Sequence, residues 1–92
     1  MKLEWDEDKA SLNLRKHGIA FKAAAYVFHD PLRLETYDGR EDYGEERWNT
    51  IGFARSAVVH VTYTVRHGDT IRIISARRAN ARERKQYREA HD

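Results

Sequence analysis

Residues 58–76, VVHVTYTVRHGDTIRIISA, decide the fold of this chain. Side chains in the first half alternate with a period of two, which indicates a β-strand because successive strand residues point to opposite faces. One set is Val59, Val61, Tyr63 and Val65, and the other is Val58, His60, Thr62 and Thr64. HGD is typical of a tight turn, and TIRIISA after it has the composition of a strand. The stretch therefore predicts a β-hairpin.

The length of the turn decides which face of the hairpin receives Arg72. A two-residue turn would place Arg72 on the face of Val61 and Tyr63. A three-residue turn, residues 67–69, places it beside Thr62 and Thr64. We expect the three-residue turn, because it pairs apolar residues with each other and keeps an arginine out of the core. In that register Ile74 falls on the face of Arg72.

The period of two continues upstream of the hairpin. LRLETYD (32–38) and ERWNTIGFA (46–54) both alternate, and the polar stretch GREDYGE (39–45) reads as the loop between them. Together with the hairpin they predict a four-stranded antiparallel meander. KLEW (2–5) is compatible with a further short edge strand.

Three segments carry helical signals. DEDKASLNLRKHG (6–18) begins at a capping aspartate and ends at a glycine. FKAAAYVF (21–28) has apolar residues at i, i+3, i+4 and i+7, and Asp30-Pro31 ends it because the residue before proline disfavours the α region. Asn80 and Glu83 have capping-box spacing at the start of a last helix. We expect an α+β fold, with N-terminal helices packed on a four-stranded antiparallel sheet and a C-terminal helix.

Length and composition exclude several classes of protein. The chain of 92 residues predicts a single domain, residues 1–92, and the absence of cysteine excludes disulfide scaffolds and thiol nucleophiles. Its longest apolar run, AAAYVF (23–28), is far too short to cross a bilayer, and acidic residues stand where a signal peptide would be basic. We expect a soluble cytoplasmic protein that binds no membrane.

Charge is distributed unevenly along the chain. Residues 1–46 hold 7 Lys/Arg and 11 Asp/Glu, whereas residues 47–92 hold 10 Lys/Arg and 4 Asp/Glu. A basic half is typical of a nucleic-acid binder or of a protein with an acidic partner, although an ordinary mixed surface fits as well. Arginine outnumbers lysine by 12 to 5, which suits bidentate contacts with phosphate.

One stripe of the first helix is polar and has apolar residues on both edges. It consists of Asp6, Lys9, Asn13, Lys16 and His17. The stripe faces either a functional groove or the rest of the protein, where its polar groups would be satisfied by neighbours.

Few side chains are candidates for catalysis or metal binding. Histidine and carboxylate spacings match no metal site, and neither a phosphate-binding glycine loop nor a nucleophile elbow occurs. Cleaving RNA without a metal needs a base for the 2′-hydroxyl, a cation for the phosphorane-like charge and an acid for the leaving 5′-oxygen. Arg, Lys, His, Tyr and Glu can fill these roles, although each such residue taken singly is more often a surface, ion-pair or packing residue.

Four separated blocks resemble one family, the BrnT toxins of type II toxin–antitoxin systems. The blocks are WDEDKASLNLRKHGIAF (5–21), DP (30–31), EERWNTIGFA (45–54) and RIISARRANARERKQY (72–87). The matching positions are Trp5, Asp6, Lys9, Asn13, Lys16, His17, Gly18, Phe21, Glu46, Arg47, Arg72, Ser75, Ala76, Arg77, Glu83 and Tyr87. Ala20 departs from the pattern, where a small polar residue is common in the family, and this concerns only a helix cap.

The resemblance implies a fold similar to the RelE ribonuclease toxins and an endoribonuclease that needs neither metal nor cofactor. It also implies a neutralising antitoxin of the BrnA type, whose complex with the toxin binds operator DNA. The hypothesis for catalysis is that Arg72 and Arg77 hold the scissile phosphate, that His17 or Glu46 is the base, and that Tyr87 is an acid or a stacking platform. The candidate RNA-binding residues are Lys9, Asn13, Lys16, Arg47, Arg78 and Arg84. The competing interpretation is a non-catalytic RNA- or protein-binding module.

Overall fold

A mixed β-sheet with helices on both sides forms the fold in residues 1–39 and 44–91, which are the residues that the computed structural model describes. The elements in chain order are β1 (Lys2–Glu4), α1 (Glu7–His17), α2 (Phe21–Ala24), a 3₁₀ helix (Ala25–His29), β2 (Leu34–Asp38), β3 (Arg47–Ala54), β4 (Ala57–Arg66), β5 (Thr70–Arg78) and α3 (Ala81–Glu89). The strand order is β1-β5-β4-β3-β2. Within these residues, every helix is too short or too polar to cross a bilayer.

The prediction of a four-stranded antiparallel sheet omits one strand of the observed sheet. β2 to β5 form the expected meander, but β1 adds a fifth strand that pairs in parallel with β5, with Leu3 opposite Ile71. Three residues are too few to reveal an alternation, so the sequence pattern did not determine how β1 pairs. The second predicted helix also differs, since it is α-helical only to Ala24 and continues as a 3₁₀ helix to His29.

The hairpin has the predicted three-residue turn. Thr64 lies opposite Arg72, and residues 67–69 connect the strands. A β-bulge follows, because Tyr63 pairs with Ile73 while the preceding Thr62 pairs with Ser75, which leaves Ile74 without an opposite residue. A bulge shifts the alternation of its strand by one residue. Arg77 therefore lies on the same face as Arg72, although an uninterrupted strand would have placed the two on opposite faces.

The core lies between the N-terminal helices and one face of the sheet. Phe21 and Val27 from the helical region meet Val61 and Ile73 from the sheet, and all four are almost fully buried. Phe28 packs edge-on against Tyr63, with ring centroids 5.1 Å apart. The opposite face of the sheet carries polar and charged side chains on β4 and β5, together with the apolar Ile51 and Phe53 on β3.

Candidate functional site

The face of the sheet away from the core presents polar side chains in successive rows. One row pairs Arg77 with His60, the next runs Ser75, Thr62 and Asn49, and a third pairs Arg72 with Thr64. Arg47, two residues before Asn49 on β3, shares this face. We call the surface formed by the following residues the polar face: Arg47, Asn49, His60, Thr62, Thr64, Arg72, Ser75 and Arg77.

Arg72 occupies one end of the polar face. Its Nη1 donates a hydrogen bond to Glu4 Oε2 at 2.6 Å, and 27% of its side chain is exposed. The parallel pairing of β1 with β5 creates this contact, because it sets Glu4 directly opposite Arg72. Thr64, on the other side of Arg72, donates from Oγ1 to the carbonyl of Glu46. Any phosphate that binds Arg72 must compete with the Glu4 carboxylate.

Arg77 occupies the other end and forms a cluster with Glu83 and His60. The guanidinium donates two hydrogen bonds to the Glu83 carboxylate, at 2.7 Å and 2.9 Å. His60 Nε2 lies 3.8 Å from Glu83 Oε2. The hydrogen bond from Arg77 is the main reason that the pKa of Glu83 is below its usual value, and the same bond raises the pKa of Arg77. Glu83 is therefore an ionised carboxylate at neutral pH, and it lies between the Arg77 guanidinium and the His60 imidazole.

Glu83 also belongs to the predicted capping box of α3. The Asn80 side chain accepts a hydrogen bond from the Glu83 N–H, and Glu83 Oε1 accepts one from the Asn80 N–H. One carboxylate thus fixes the beginning of α3 and ties that helix to β5 through Arg77.

The second attachment of α3 is a contact between Tyr87 and Asp30. Asp30 Oδ2 accepts hydrogen bonds from the Tyr87 hydroxyl at 2.6 Å and from the Phe53 N–H at 2.8 Å, and Oδ1 accepts one from the Leu32 N–H. Burial raises the pKa of Asp30, but these hydrogen bonds outweigh it and the net change is downward. Burial and the bond to Asp30 raise the pKa of Tyr87 to about 12. Tyr87 therefore keeps its proton at neutral pH.

These two attachments explain how a helix without a buried residue is held in place. Glu83 and Tyr87 are four residues apart and share one face of α3. Beyond the helix, His91 Nε2 lies 2.6 Å from the Leu32 carbonyl oxygen. α3 consequently crosses the sheet from β5 toward β2 and flanks the Arg77 end of the polar face.

The α1 candidates differ in burial and contacts. Asn13 is buried, and its amide donates to the carbonyls of Ile19 at 3.0 Å and Ala76 at 2.9 Å while its oxygen accepts from the Ala76 N–H at 3.1 Å. It thus pairs with the edge of β5 beyond the end of β1. Of the two alternatives for the polar stripe, Asn13 fits the one in which neighbours satisfy it. The remaining α1 candidates are exposed or half-buried, and they are Lys9, Lys16 and His17.

The remaining predicted residues are dispersed. Arg47 on β3 forms an ion pair with Glu45 at 3.3 Å, and Glu46 beside it is exposed. Arg78 pairs with Val59 and is exposed on the other face of the sheet. Arg84 donates to the Ala79 carbonyl at 2.6 Å.

Contacts among the described residues connect some of the five predicted catalytic residues. Arg77 and Tyr87 are connected through α3, and Arg72 shares the polar face but lies five residues from Arg77, a separation of roughly 16 Å along an extended strand. In the described part of the chain, no hydrogen bond or ion pair joins the side chain of His17 or Glu46 to either arginine.

The polar face contains residues that sequence reasoning did not select. His60, Thr62 and Asn49 are among them, and Thr62 Oγ1 donates to Asn49 Oδ1 at 2.7 Å. Their alternation already put His60 and Thr62 on one side of a strand, but only the bulge at Ile74 brings Arg77 beside His60. Among the described residues, no three His, Asp or Glu side chains are gathered closely enough to hold a metal ion.

Comparisons with known proteins agree with this fold. Residues 5–83 match the family model of the ribonuclease toxin BrnT of type II toxin–antitoxin systems, which confirms the resemblance. The structure is similar to the crystal structure of the ribonuclease toxin BrnT of Brucella abortus, with a TM-score of 0.64 and 23% sequence identity. That likeness covers 87% of this chain and 97% of the other. A search of curated proteins gave no match.

Proposed function

The chain belongs to the BrnT family of ribonuclease toxins of type II toxin–antitoxin systems, and from this membership we propose that it is an endoribonuclease that cleaves RNA without a metal ion or other cofactor. The observation that carries the proposal is the polar face, which has Arg72 and Arg77 at its two ends and the uncharged row of Ser75, Thr62 and Asn49 between them. Such a surface can bind two phosphates of an RNA strand, one at each end of the polar face, with a nucleotide between them.

The two arginines supply positive charge for phosphate. A guanidinium binds phosphate bidentately and stabilises the negative charge that develops as the phosphorus is attacked. Because Arg72 and Arg77 lie at opposite ends of the face, we assign them to different phosphates of one strand, with Arg77 next to the reacting one. The further cations contribute attraction, and they are Lys9, Lys16, Arg47, Arg78 and Arg84.

The other catalytic assignments concern the base and the acid. His17 and Glu46 are the candidate bases, and each would have to approach the 2′-hydroxyl from outside the polar face. Tyr87 is the candidate acid or stacking platform. Its hydrogen bond to Asp30 and its raised pKa favour a role in stacking on a base or in holding α3 in place over proton donation.

Family membership also implies an antitoxin partner. We propose an antitoxin of the BrnA type that covers the polar face and suppresses cleavage, with operator DNA bound only by the toxin–antitoxin complex. Acidic side chains of such a partner would replace Glu4 at Arg72. An antitoxin complex in which Arg72 and Arg77 keep their full exposure would contradict this proposal.

Cleavage of labelled RNA by the purified protein in EDTA tests the activity. Arg72→Ala, Arg77→Ala and His17→Ala are compared with the parent protein after circular dichroism has verified their folding. Arg82→Ala is the matched control, because Arg82 is an exposed arginine on α3. Products in EDTA that depend on Arg72 and Arg77 support the proposal. Absence of products with several RNAs would favour a non-catalytic RNA- or protein-binding module.

A further inference from the structure

Cleavage by the proposed route needs a proton for the leaving 5′-oxygen. Histidine is the side chain whose unperturbed pKa places its proton transfer near neutral pH. All five histidines lie in the described part of the chain, and only His60 is on a strand of the sheet, where it faces the same side as Arg72 and Arg77. The other four end helices, follow α3 or occupy the hairpin turn, and they are His17, His29, His67 and His91.

The surroundings of His60 suit a proton donor. Across β5 it pairs with Arg77, across β3 with the apolar Ile51, and from α3 the Glu83 carboxylate approaches its Nε2 to 3.8 Å. Among the described residues, Glu83 and Arg77 are charged groups that face it. The carboxylate favours the imidazolium form, and Arg77 opposes it only partly because the guanidinium donates two of its hydrogen bonds to that same carboxylate.

His60 also has access to solvent and to the phosphate site. Its side chain is 16% exposed, and Glu83 of α3 lies on one side of it. On the other side, the neighbouring row of Thr62 and Ser75 is half-buried. An RNA strand that lies along that row would place a phosphate at Arg77 next to the His60 imidazole.

We propose that His60 is the general acid of RNA cleavage and that Glu83 is its positioning residue; this inference rests on the proposed ribonuclease activity. The 2′-oxygen forms a bond to phosphorus while a separate base takes the 2′-hydroxyl proton. The bond from phosphorus to the 5′-oxygen breaks, and the imidazolium proton passes to that oxygen. The products are a 2′,3′-cyclic phosphate and a 5′-hydroxyl end, and His60 recovers its proton from water.

The first test compares His60→Gln with the parent and with His29→Gln, an exposed histidine at the end of the 3₁₀ helix. We expect His60→Gln to cleave about 10²- to 10⁴-fold more slowly, as for the loss of a general acid. Its affinity for a 2′-O-methyl RNA, which cannot be cleaved, should decrease far less than the cleavage rate. A decrease in rate of less than about threefold in a folded His60→Gln protein would overturn the proposal.

A substrate with a better leaving group separates proton donation from structural effects. When sulfur replaces the bridging 5′-oxygen of the RNA, the leaving group is a thiolate, which needs no general acid. We expect His60→Gln to cleave this RNA at nearly the parent rate, while Arg77→Ala remains impaired on both substrates. Equal impairment of His60→Gln on both substrates would assign His60 a structural role instead.

The pH dependence of the parent enzyme provides a test that needs no His60 variant. The rate should fall as pH rises through the titration of His60, and Glu83→Gln should move this fall to lower pH because the carboxylate no longer favours the imidazolium. A parent rate that does not fall between about pH 6 and pH 9 would contradict the inference. If the parent protein cleaves no RNA at all, the proposed function fails, and His60 has no reaction to catalyse.

Discussion

Replacing Asn13 with alanine should destabilise the protein strongly and leave the chemistry of cleavage intact. Asn13 makes three hydrogen bonds that join α1 to the chain at Ile19 and to the edge of β5 at Ala76. Each is worth about 1 kcal/mol net, and a buried partner left unsatisfied costs about 1–3 kcal/mol. Because the replacement removes three bonds at a buried position, we expect a loss of about 3–5 kcal/mol in the free energy of unfolding.

Thermal and urea unfolding measure this loss. For a chain of this length, about 3–5 kcal/mol corresponds to a decrease in Tm of roughly 15–25 °C. Ser11→Ala, at an exposed position of the same helix, is the matched control and should change stability by no more than about 0.5 kcal/mol. A loss of less than about 1 kcal/mol in Asn13→Ala, together with weakened RNA binding, would refute this reasoning. It would support the prediction that Asn13 binds RNA.

Three further predictions concern the two ends of the polar face. Glu4→Gln removes the carboxylate that competes for Arg72, so RNA affinity should rise about two- to fivefold in a fluorescence anisotropy titration; Glu89→Gln, which alters an exposed pair with Lys85, controls for net charge. Tyr87→Phe loses the hydrogen bond to Asp30 and should cost about 1–2 kcal/mol, with faster hydrogen exchange confined to α3; unchanged exchange would show that α3 is held by other contacts. Because hydrogen bonds keep the folded-state pKa of Asp30 below its usual value of 3.8, its contribution to stability is present above pH 3.8 and is lost as pH falls through the folded-state pKa; acid unfolding curves of Asp30→Asn should lack this component.

Much of the fold was predictable because local signals agreed with one another. The alternation in residues 58–76 and the need to keep Arg72 out of the core determined the hairpin register, which the structure confirms. Helix ends were equally clear, since Asp6 caps α1 and Asn80 with Glu83 forms the capping box of α3. In each case the residues that make the interaction are close in sequence.

The remaining features depend on contacts between distant segments. The parallel pairing of β1 and the bulge at Ile74 leave no regular pattern in sequence, and the bulge alone puts Arg77 beside His60. Similarly, the partners of Arg77 and Tyr87 follow from where α3 lies across the sheet. The family blocks identified several residues of the polar face, but they also included Asn13, whose contacts join α1 to β5.

We propose that the polar face cleaves RNA with the chain's own side chains. This is tested by the cleavage rate of the purified protein in EDTA, with the ends of the products identified and with Arg77→Ala compared against Arg82→Ala. We predict 2′,3′-cyclic phosphate and 5′-hydroxyl ends, a rate that Arg82→Ala preserves, and a large decrease in Arg77→Ala. Cleavage that disappears in EDTA, or that Arg77→Ala leaves unchanged, would contradict the claim.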